Sequence, residues 1–548
     1  MKTARSARPA RPTRATAAAA RPRMPNLDSI LVGLIALIPY LWFAPNVSGD
    51  KDASEFTLVL STFGVAHPTG YPLYTLLGHF FVHAAHALGA TWSYAANSWS
   101  AVGGACALGF FHALVARLVP TSASPRTRRW VPLVPICFLF LNPIWTVETC
   151  LAEVYSWHVA WTCALGCVFV TTLRRLGENA LPGRALSRRA ALWGLLCGVG
   201  LAHHATSVLT IAPLSAALLW ALWRARRLRF GDLARALGAS LIPLTAYAWI
   251  VYRAYHPGGF MWPTLDSTGA SILRHLTGGA YRFYIGWFAP SKIQQIFLRL
   301  YVYPFLFPAI ALAAFAAWRA PTVEDRVARL SFCAAAIIGT TYAFFYGVSD
   351  PSSYFLAPLF LALAPAAMLL AQLPSPRVAA AWAAALVLLA AWLSIDWTRI
   401  DLERKRQFLG FNHMLHDMWA TIPFDSGFVF WRDDMYVRLH EYQLFDGEKP
   451  GLEIIHPSNL TQVVGRRRFL ERRGIDPLAG LDLNLPAVGM PGRQEAINHL
   501  FDEIEHNVNR QTALPVIHFD PEIPTVRLLK KPPSPADSTQ AAPAAGAR

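Results

Sequence analysis

The sequence predicts a mostly α-helical polytopic membrane bundle with about eleven spans and a small soluble α/β carboxyl-terminal domain, and three observations lead there. Of 548 residues, 54% are hydrophobic and 15% charged, which is too apolar for an ordinary soluble chain and too long for one core. Apolar runs of roughly 20 residues recur, and the basic residues behind the net charge of +16 gather in the short connections between them. That charge is topology information rather than a nucleic-acid footprint. From about Asp396 the composition turns charged and aromatic.

Residues 1–27 carry Lys2, Arg5, Arg8, Arg11, Arg14, Arg21 and Arg23 in an Ala/Pro/Arg background and are expected to form a disordered basic cytoplasmic tail. The membrane domain is expected over 28–397, with spans near 29–44, 95–117, 131–148, 154–173, 191–203, 206–223, 236–252, 296–318, 330–348, 354–373 and 378–396. The first run has an alternative reading as a signal-peptide core with Val47-Ser48-Gly49 as cleavage site, which the long tail and the later spans oppose. Alternate connections are rich in Arg: Arg117 with Arg126, Arg128 and Arg129; Arg174, Arg175, Arg184, Arg188 and Arg189; Arg224, Arg226, Arg227, Arg229 and Arg235; Arg319, Arg326 and Arg329; then Arg377. These belong in the cytoplasm, so an odd span number places the domain expected over 398–530 on the extracytoplasmic side. The run 191–203 is short for a crossing, and with its successor it reads alternatively as one kinked or re-entrant element.

In the carboxyl-terminal domain a helical pattern at 402–422 precedes β-like runs at Gly427–Trp431 and Leu452–His456. Asp433 and Asp434 beside Tyr436 read as an exposed turn or, alternatively, as acids that touch an acceptor. Residues 531–548, rich in Pro, Ala and Ser, are expected to be a disordered tail. The seven cysteines lie in or at the ends of apolar runs, a pattern that supplies neither a disulfide framework nor metal-ligand spacing.

Ionisable groups concentrate at the expected outer face. Asp50, Asp52 and Glu55 follow the first span directly and lead into Gly64-Val-Ala-His67-Pro-Thr-Gly-Tyr71-Pro. The segment Tyr71–Gly89 is expected to lie along the membrane, because His79, His83 and His86 interrupt it. Glu148, Glu153 and Tyr155 stand at the junction of the third and fourth spans, where a carboxylate is expensive unless solvated, paired or functional. His203 and His204 can hydrogen-bond a phosphate or an acceptor hydroxyl, but as neighbours they point to different helix faces and make a poor metal pair. The loop after Arg253 holds Trp262, Asp266, Arg274, His275, Tyr281 and Arg282, with Arg suited to bidentate contact with a phosphate or, alternatively, to snorkelling. Asp350 and Tyr354 complete the set. Neither a phosphate-cradling glycine loop nor a nucleophilic serine elbow stands out.

Asp52-x-x-Glu55, His67-Pro-x-Gly-Tyr-Pro-Leu-Tyr74, Glu153-Val-Tyr155, His203-His204, His275-Leu-Thr-Gly-x-x-Tyr281 and Asp350-x-x-x-Tyr354-Phe resemble the bacterial relatives of the transmembrane protein 260 type O-mannosyltransferase family. The tail segment Trp431-Arg-Asp-Asp-Met-Tyr436 does too. One departure is Ser54, where that pattern has Gly immediately before the Glu. The resemblance implies a GT-C superfamily glycosyltransferase in a bacterial inner membrane. It would move a sugar, mannose by family, from a polyprenyl-phosphate donor to an acceptor hydroxyl, on protein Ser/Thr, a glycan or a lipid. It places an essential acid in the first extracytoplasmic loop, by position Asp52 with Glu55 in support. His67, Tyr71, Glu153, Tyr155, His203, His204, Arg274, His275, Arg282, Asp350 and Tyr354 are the expected donor or acceptor contacts. The scheme requires no cofactor, although Asp52 with Glu55 can hold a divalent ion. A flippase for lipid-linked saccharides would place ionisable groups near mid-span, and a non-catalytic membrane scaffold leaves the outward acids unexplained.

Overall fold

The computed structural model describes residues 27–530 apart from Lys51, Thr121, Trp287, Ala289, Pro374 and 487–489, with the backbone alone for Ala280 and Phe283. The expected tails, 1–27 but for Leu27 and 531–548, lie outside the described residues.

The chain opens with helices α1 (Leu27–Phe43), α2 (Asp52–Thr62), α3 (Pro72–Ala87) and α4 (Trp92–Leu118). Next come α5 (Pro125–Trp130), α6 (Leu133–Leu139), α7 (Pro143–Cys150), α8 (Tyr155–Gly177), α9 (Gly183–His203), α10 (Val208–Arg224), α11 (Phe230–Leu244) and α12 (Tyr247–Tyr255). After the loop helix α13 (Gly269–Leu276) follow α14 (Lys292–Tyr301), α15 (Tyr303–Trp318), α16 (Val323–Phe344), α17 (Leu356–Ala366), α18 (Met368–Ala371) and α19 (Pro376–Ala420). Among the described residues seven stretches, 92–118, 155–177, 205–224, 230–255, 323–344, 352–371 and 376–420, are long and apolar enough to cross a membrane, and the pairs α5/α6 with α7 (bent 81°) and α14 with α15 (bent 46°) reach that length jointly. Every expected span falls on one of these stretches, on α1 or on α9. Leu237, Leu241, Ile242, Leu388 and Trp392 are exposed on this surface. Water would not tolerate so continuous an apolar belt, whereas lipid does. The chain is a multi-pass membrane protein.

Helix ends follow the sequence closely. Thr91 caps α4 by accepting from the Tyr94 N–H, and Asn142 caps α7 ahead of Pro143. Helix α9 begins at Gly183, earlier than its apolar run at 191, because Arg184 to Arg189 extend it with good helix formers. It packs backbone to backbone on α11. A Cβ on Gly194 would come within 1.8 Å of the Ala236 carbonyl oxygen, and one on Gly198 within 2.2 Å of that of Ser240, so glycine permits the seam.

Helix α19 runs unbroken for 45 residues, about 68 Å, through the composition change at 397. It leads into strand β1 (Ser426–Phe430), helix α20 (Val437–Phe445), β2 (Gly451–Ile455), helices α21 (Pro457–Thr461), α22 (Val463–Arg473) and α23 (Arg493–Gln511), then β3 (Val516–Asp520) and β4 (Thr525–Leu528). The sheet order is β2-β1-β3-β4, with β2, β1 and β3 parallel and β4 antiparallel. Phe428, Val429 and Phe430 are all buried, as a central strand covered on both faces requires. The carboxyl ends of its parallel strands, where such sheets place their crevices, adjoin α2 and the loop after it.

Candidate functional site

Helix α2 starts at Asp52, which puts Asp52 and Glu55 one turn apart on a single face at a positively polarised helix end. The preceding loop is held from two sides. Ser54 donates its hydroxyl to the Gly49 carbonyl at 2.8 Å, a tie that glycine at this position could not make. The buried Arg438 of α20 donates to the carbonyls of Ser48 and Gly49. His67, from the loop after α2, closes the arrangement. Its backbone N–H donates to Glu55 Oε1 at 2.5 Å, its Nδ1 lies 3.1 Å from Glu55 Oε2, and its Nε2 lies 2.9 Å from the Tyr71 hydroxyl and 3.8 Å from Asp52 Oδ2. Burial opposes a charge on the ring, but Glu55 and then Asp52 outweigh it and hold the imidazole up to about 9. His67 is therefore a cation at neutral pH between two acids of different access: the Glu55 side chain is 6% exposed and that of Asp52 51%.

Gly70 and Tyr71 both adopt left-handed backbone, at φ 83° and 43°. For a bulky tyrosine that conformation is unusual, and it turns the phenol back onto His67. The expected 253–290 loop supplies the opposite wall. Val65 pairs in parallel with Met261, which sets the Trp262 ring 5.8 Å from the His67 ring, while Tyr281 lies at 6.1 Å. His275 is buried in the same segment, and burial together with the neighbouring His67 charge pushes it down to about 3. Arg274 and Arg282 are exposed on either side of these inward residues. Asp266 is taken up by Thr268 and by Arg467 of α22, a structural tie between loop and carboxyl-terminal unit.

Tyr71 also joins a second group. Its ring is 5.3 Å from His204, which lies 5.3 Å from Tyr155, 6.5 Å from Tyr354 and 5.2 Å from His158. His203 is engaged by the Val154 carbonyl at 3.1 Å. Glu153 pairs its backbone with Ser100, and burial, Glu148 and Asp52 hold its carboxyl well above the usual carboxylate range. Asp350 accepts from the Ser352 hydroxyl at 2.8 Å. Asp50 is exposed and accepts the Ala53 N–H through its carbonyl.

Two contributors were not visible as such in the sequence. The turn Asp434–Tyr436 follows β1 with its acids exposed, as expected, and it sits beside the site: the Asp434 charge bears on His67, and Tyr436 is buried. An acid pair directly after a parallel strand was the available signal. His158 stood in the same short stretch as Tyr155, and only the packing of α8 against α9 shows that it faces His204.

One oxygen each from Asp52 and Glu55 and a ring nitrogen of His67 lie within 4.8 Å of one another, a spacing that suits a divalent cation. Both His67 ring nitrogens have hydrogen-bond partners, Glu55 and Tyr71. A cation at this point must displace one of them.

Fold and site together define a multi-pass helical membrane protein with an acid–histidine centre at one end of its bundle. Residues 52–227 match the family model described as the protein O-mannosyl-transferase TMEM260 N-terminal domain. The chain is 30% identical over 211 residues to protein O-mannosyl-transferase tmem260 of Dictyostelium discoideum, covering 37% of this chain and 24% of that protein. To TMEM260 of Mus musculus it is 28% identical over 214 residues, covering 38% and 28%. The similarity thus spans about a quarter of the length of these curated relatives. Among solved structures, the Archaeoglobus fulgidus oligosaccharyltransferase tethered with an acceptor peptide has a TM-score of 0.48 at 12% identity, over 79% of this chain and 64% of that one. ArnT from Cupriavidus metallidurans bound to undecaprenyl phosphate has a TM-score of 0.42 at 14% identity, over 87% and 84%.

Proposed function

We propose that the chain is a GT-C type glycosyltransferase that moves a sugar, mannose in keeping with its relatives' name, from a polyprenyl-phosphate donor to an acceptor hydroxyl, with protein Ser/Thr as the acceptor. The reaction takes place at the Asp52 end of the bundle, on the extracytoplasmic face. The observation that carries this reading is the half-exposed Asp52 carboxylate beside a buried imidazolium that Glu55 orients. Asp52 accepts the proton of the acceptor hydroxyl as its oxygen bonds to the anomeric carbon, the bond from that carbon to the phosphate oxygen breaks, and polyprenyl phosphate leaves with inversion. His67 presents its charge to Asp52 at 3.8 Å, and Glu55 with Tyr71 fixes the imidazole plane. Arg274 and Arg282 are assigned to the phosphate at the rim, with Tyr155, His204 and Tyr354 to the hydroxyl-bearing partner. No metal takes part in this scheme.

Purified Asp52→Asn tests the assignment with a polyprenyl-phosphate-linked mannose and an acceptor peptide. Transfer is expected to fall by about 100-fold or more while donor binding persists. Full turnover in the variant would overturn Asp52 as base. Translocation of the lipid-linked sugar by wild type without transfer would establish the flippase instead. Activity that vanishes on chelation and returns with a divalent ion would overturn the metal-free scheme.

A further inference from the structure

The far end of the bundle carries a second constellation with no part in the chemistry above. Helices α9 and α11 run parallel, packed along the Gly194 and Gly198 seam, so their amino-terminal ends lie side by side. His203 at the other end of α9 belongs to the Asp52 face. The intervening 21 residues span about 30 Å, the thickness of a bilayer core. At the amino-terminal ends is a groove of about 630 Å³ lined by Arg184, Arg188, Arg229 and Arg235 with Ser187 and Asp232. Asp232 Oδ1 accepts from the Ser187 hydroxyl at 2.6 Å and from Arg235 Nη1 at 3.1 Å, while its buried Oδ2 makes no hydrogen bond among the described residues. Arg184, Arg188 and Arg229 are exposed, and no acid of the described residues pairs with them. Neither helix start is capped by a side chain, which leaves backbone N–H groups and the positive dipole ends on the same side.

The groove does not end in water. From Arg229, the exposed side chains Phe230, Leu233, Leu237 and Leu241 continue along one face of α11 at helical spacing. A free phosphate would use only the arginines. An anionic phospholipid would use both features, with its headgroup phosphate in the fork-shaped donors and its acyl chains along the apolar stripe.

We infer that the α9/α11 groove is a binding site for an anionic phospholipid headgroup at the membrane face opposite Asp52. The purified full-length protein, placed in bilayer discs of zwitterionic lipid with or without anionic phospholipid, is examined by native mass spectrometry and thermal melting. Wild type is expected to retain the anionic lipid selectively and to melt higher in its presence. Arg188→Gln/Arg229→Gln is expected to lose that retention by about tenfold or more, and Arg188→Lys/Arg229→Lys to keep part of it. If the double Gln variant does not insert, Arg184→Gln alone carries the comparison. Equal retention of anionic and zwitterionic lipid by wild type, or undiminished selectivity in the Gln variants, overturns the site. Displacement of the lipid by millimolar inorganic phosphate, with the same thermal shift from phosphate alone, makes it a free-phosphate site and overturns the lipid assignment.

Discussion

His67 ties the site's electrostatics to its stability. Its imidazole is held up to about 9 against an ordinary 6.5, so the folded state binds this proton more tightly than the unfolded chain does. The resulting stabilisation is complete below pH 6.5 and is lost as pH rises to 9. Its upper bound lies between about 3 and 4 kcal/mol, since each pH unit of difference is worth about 1.4 kcal/mol. Melting curves of wild type and His67→Gln should therefore converge as pH rises across that window, and a constant gap would show that the ring is not charged. The same charge shapes activity: loss of the imidazolium above pH 9 removes the cation beside Asp52. Asp52, Glu55, His67 and Tyr71 were legible in the sequence because they lie within twenty residues of each other. Trp262, Tyr281 and Asp434 were not legible as partners of His67, because their proximity depends on the 260–266 loop and the carboxyl-terminal sheet folding over α2.

Helix α20 determines where α2 can begin. Arg438 is 1% exposed, bonds the carbonyls of Ser48 and Gly49 and the Asn412 side chain, and faces Glu441, which in turn accepts from the Ser48 hydroxyl. A planar fork reaches separated acceptors in fixed directions, where an ammonium is a compact point charge at the end of a flexible stem. Arg438→Ala should destabilise the protein by about 3–5 kcal/mol, because Glu441 is left buried without its cation. Arg438→Lys keeps the charge but not the fork. Its expected signature is a kcat reduced about tenfold with the donor KM unchanged, as for a residue that positions the Asp52 loop and touches no substrate. A rise in KM alone would argue against that role. The helices themselves were readable from apolar run length, and β1 and β2 from alternating, β-branched and aromatic runs. The true start of α9 was not, since hydropathy is blind to an Arg-rich first turn that continues the same helix. The continuity of α19 through 397 escaped for the same reason: composition reports where the membrane ends, and the helix does not end there.

Across the whole molecule, two charged constellations stand at opposite ends of one bundle, and both the proposed chemistry and the lipid groove depend on which side each occupies. The charge rule predicts that the arginines of the α9/α11 end face the cytoplasm and that Asp52, the loop around Trp262 and the carboxyl-terminal sheet face outside. The contacts of α22 bind that assignment together: Arg467 holds Asp266 and Arg468 the Leu265 carbonyl, so the sheet cannot lie on one side and the 260–266 loop on the other. Val463 on α22 and Arg226 after α10 are both exposed and report the two ends. In intact cells a membrane-impermeant maleimide should label Val463→Cys and leave Arg226→Cys unlabelled until the membrane is permeabilised, in a background whose native cysteines are replaced. Labelling of both from outside would break the charge-rule topology, and labelling of Arg226→Cys alone would invert it. The second result would carry Asp52 to the cytoplasmic face, where the acceptor would have to be sought among cytoplasmic hydroxyls rather than exported ones.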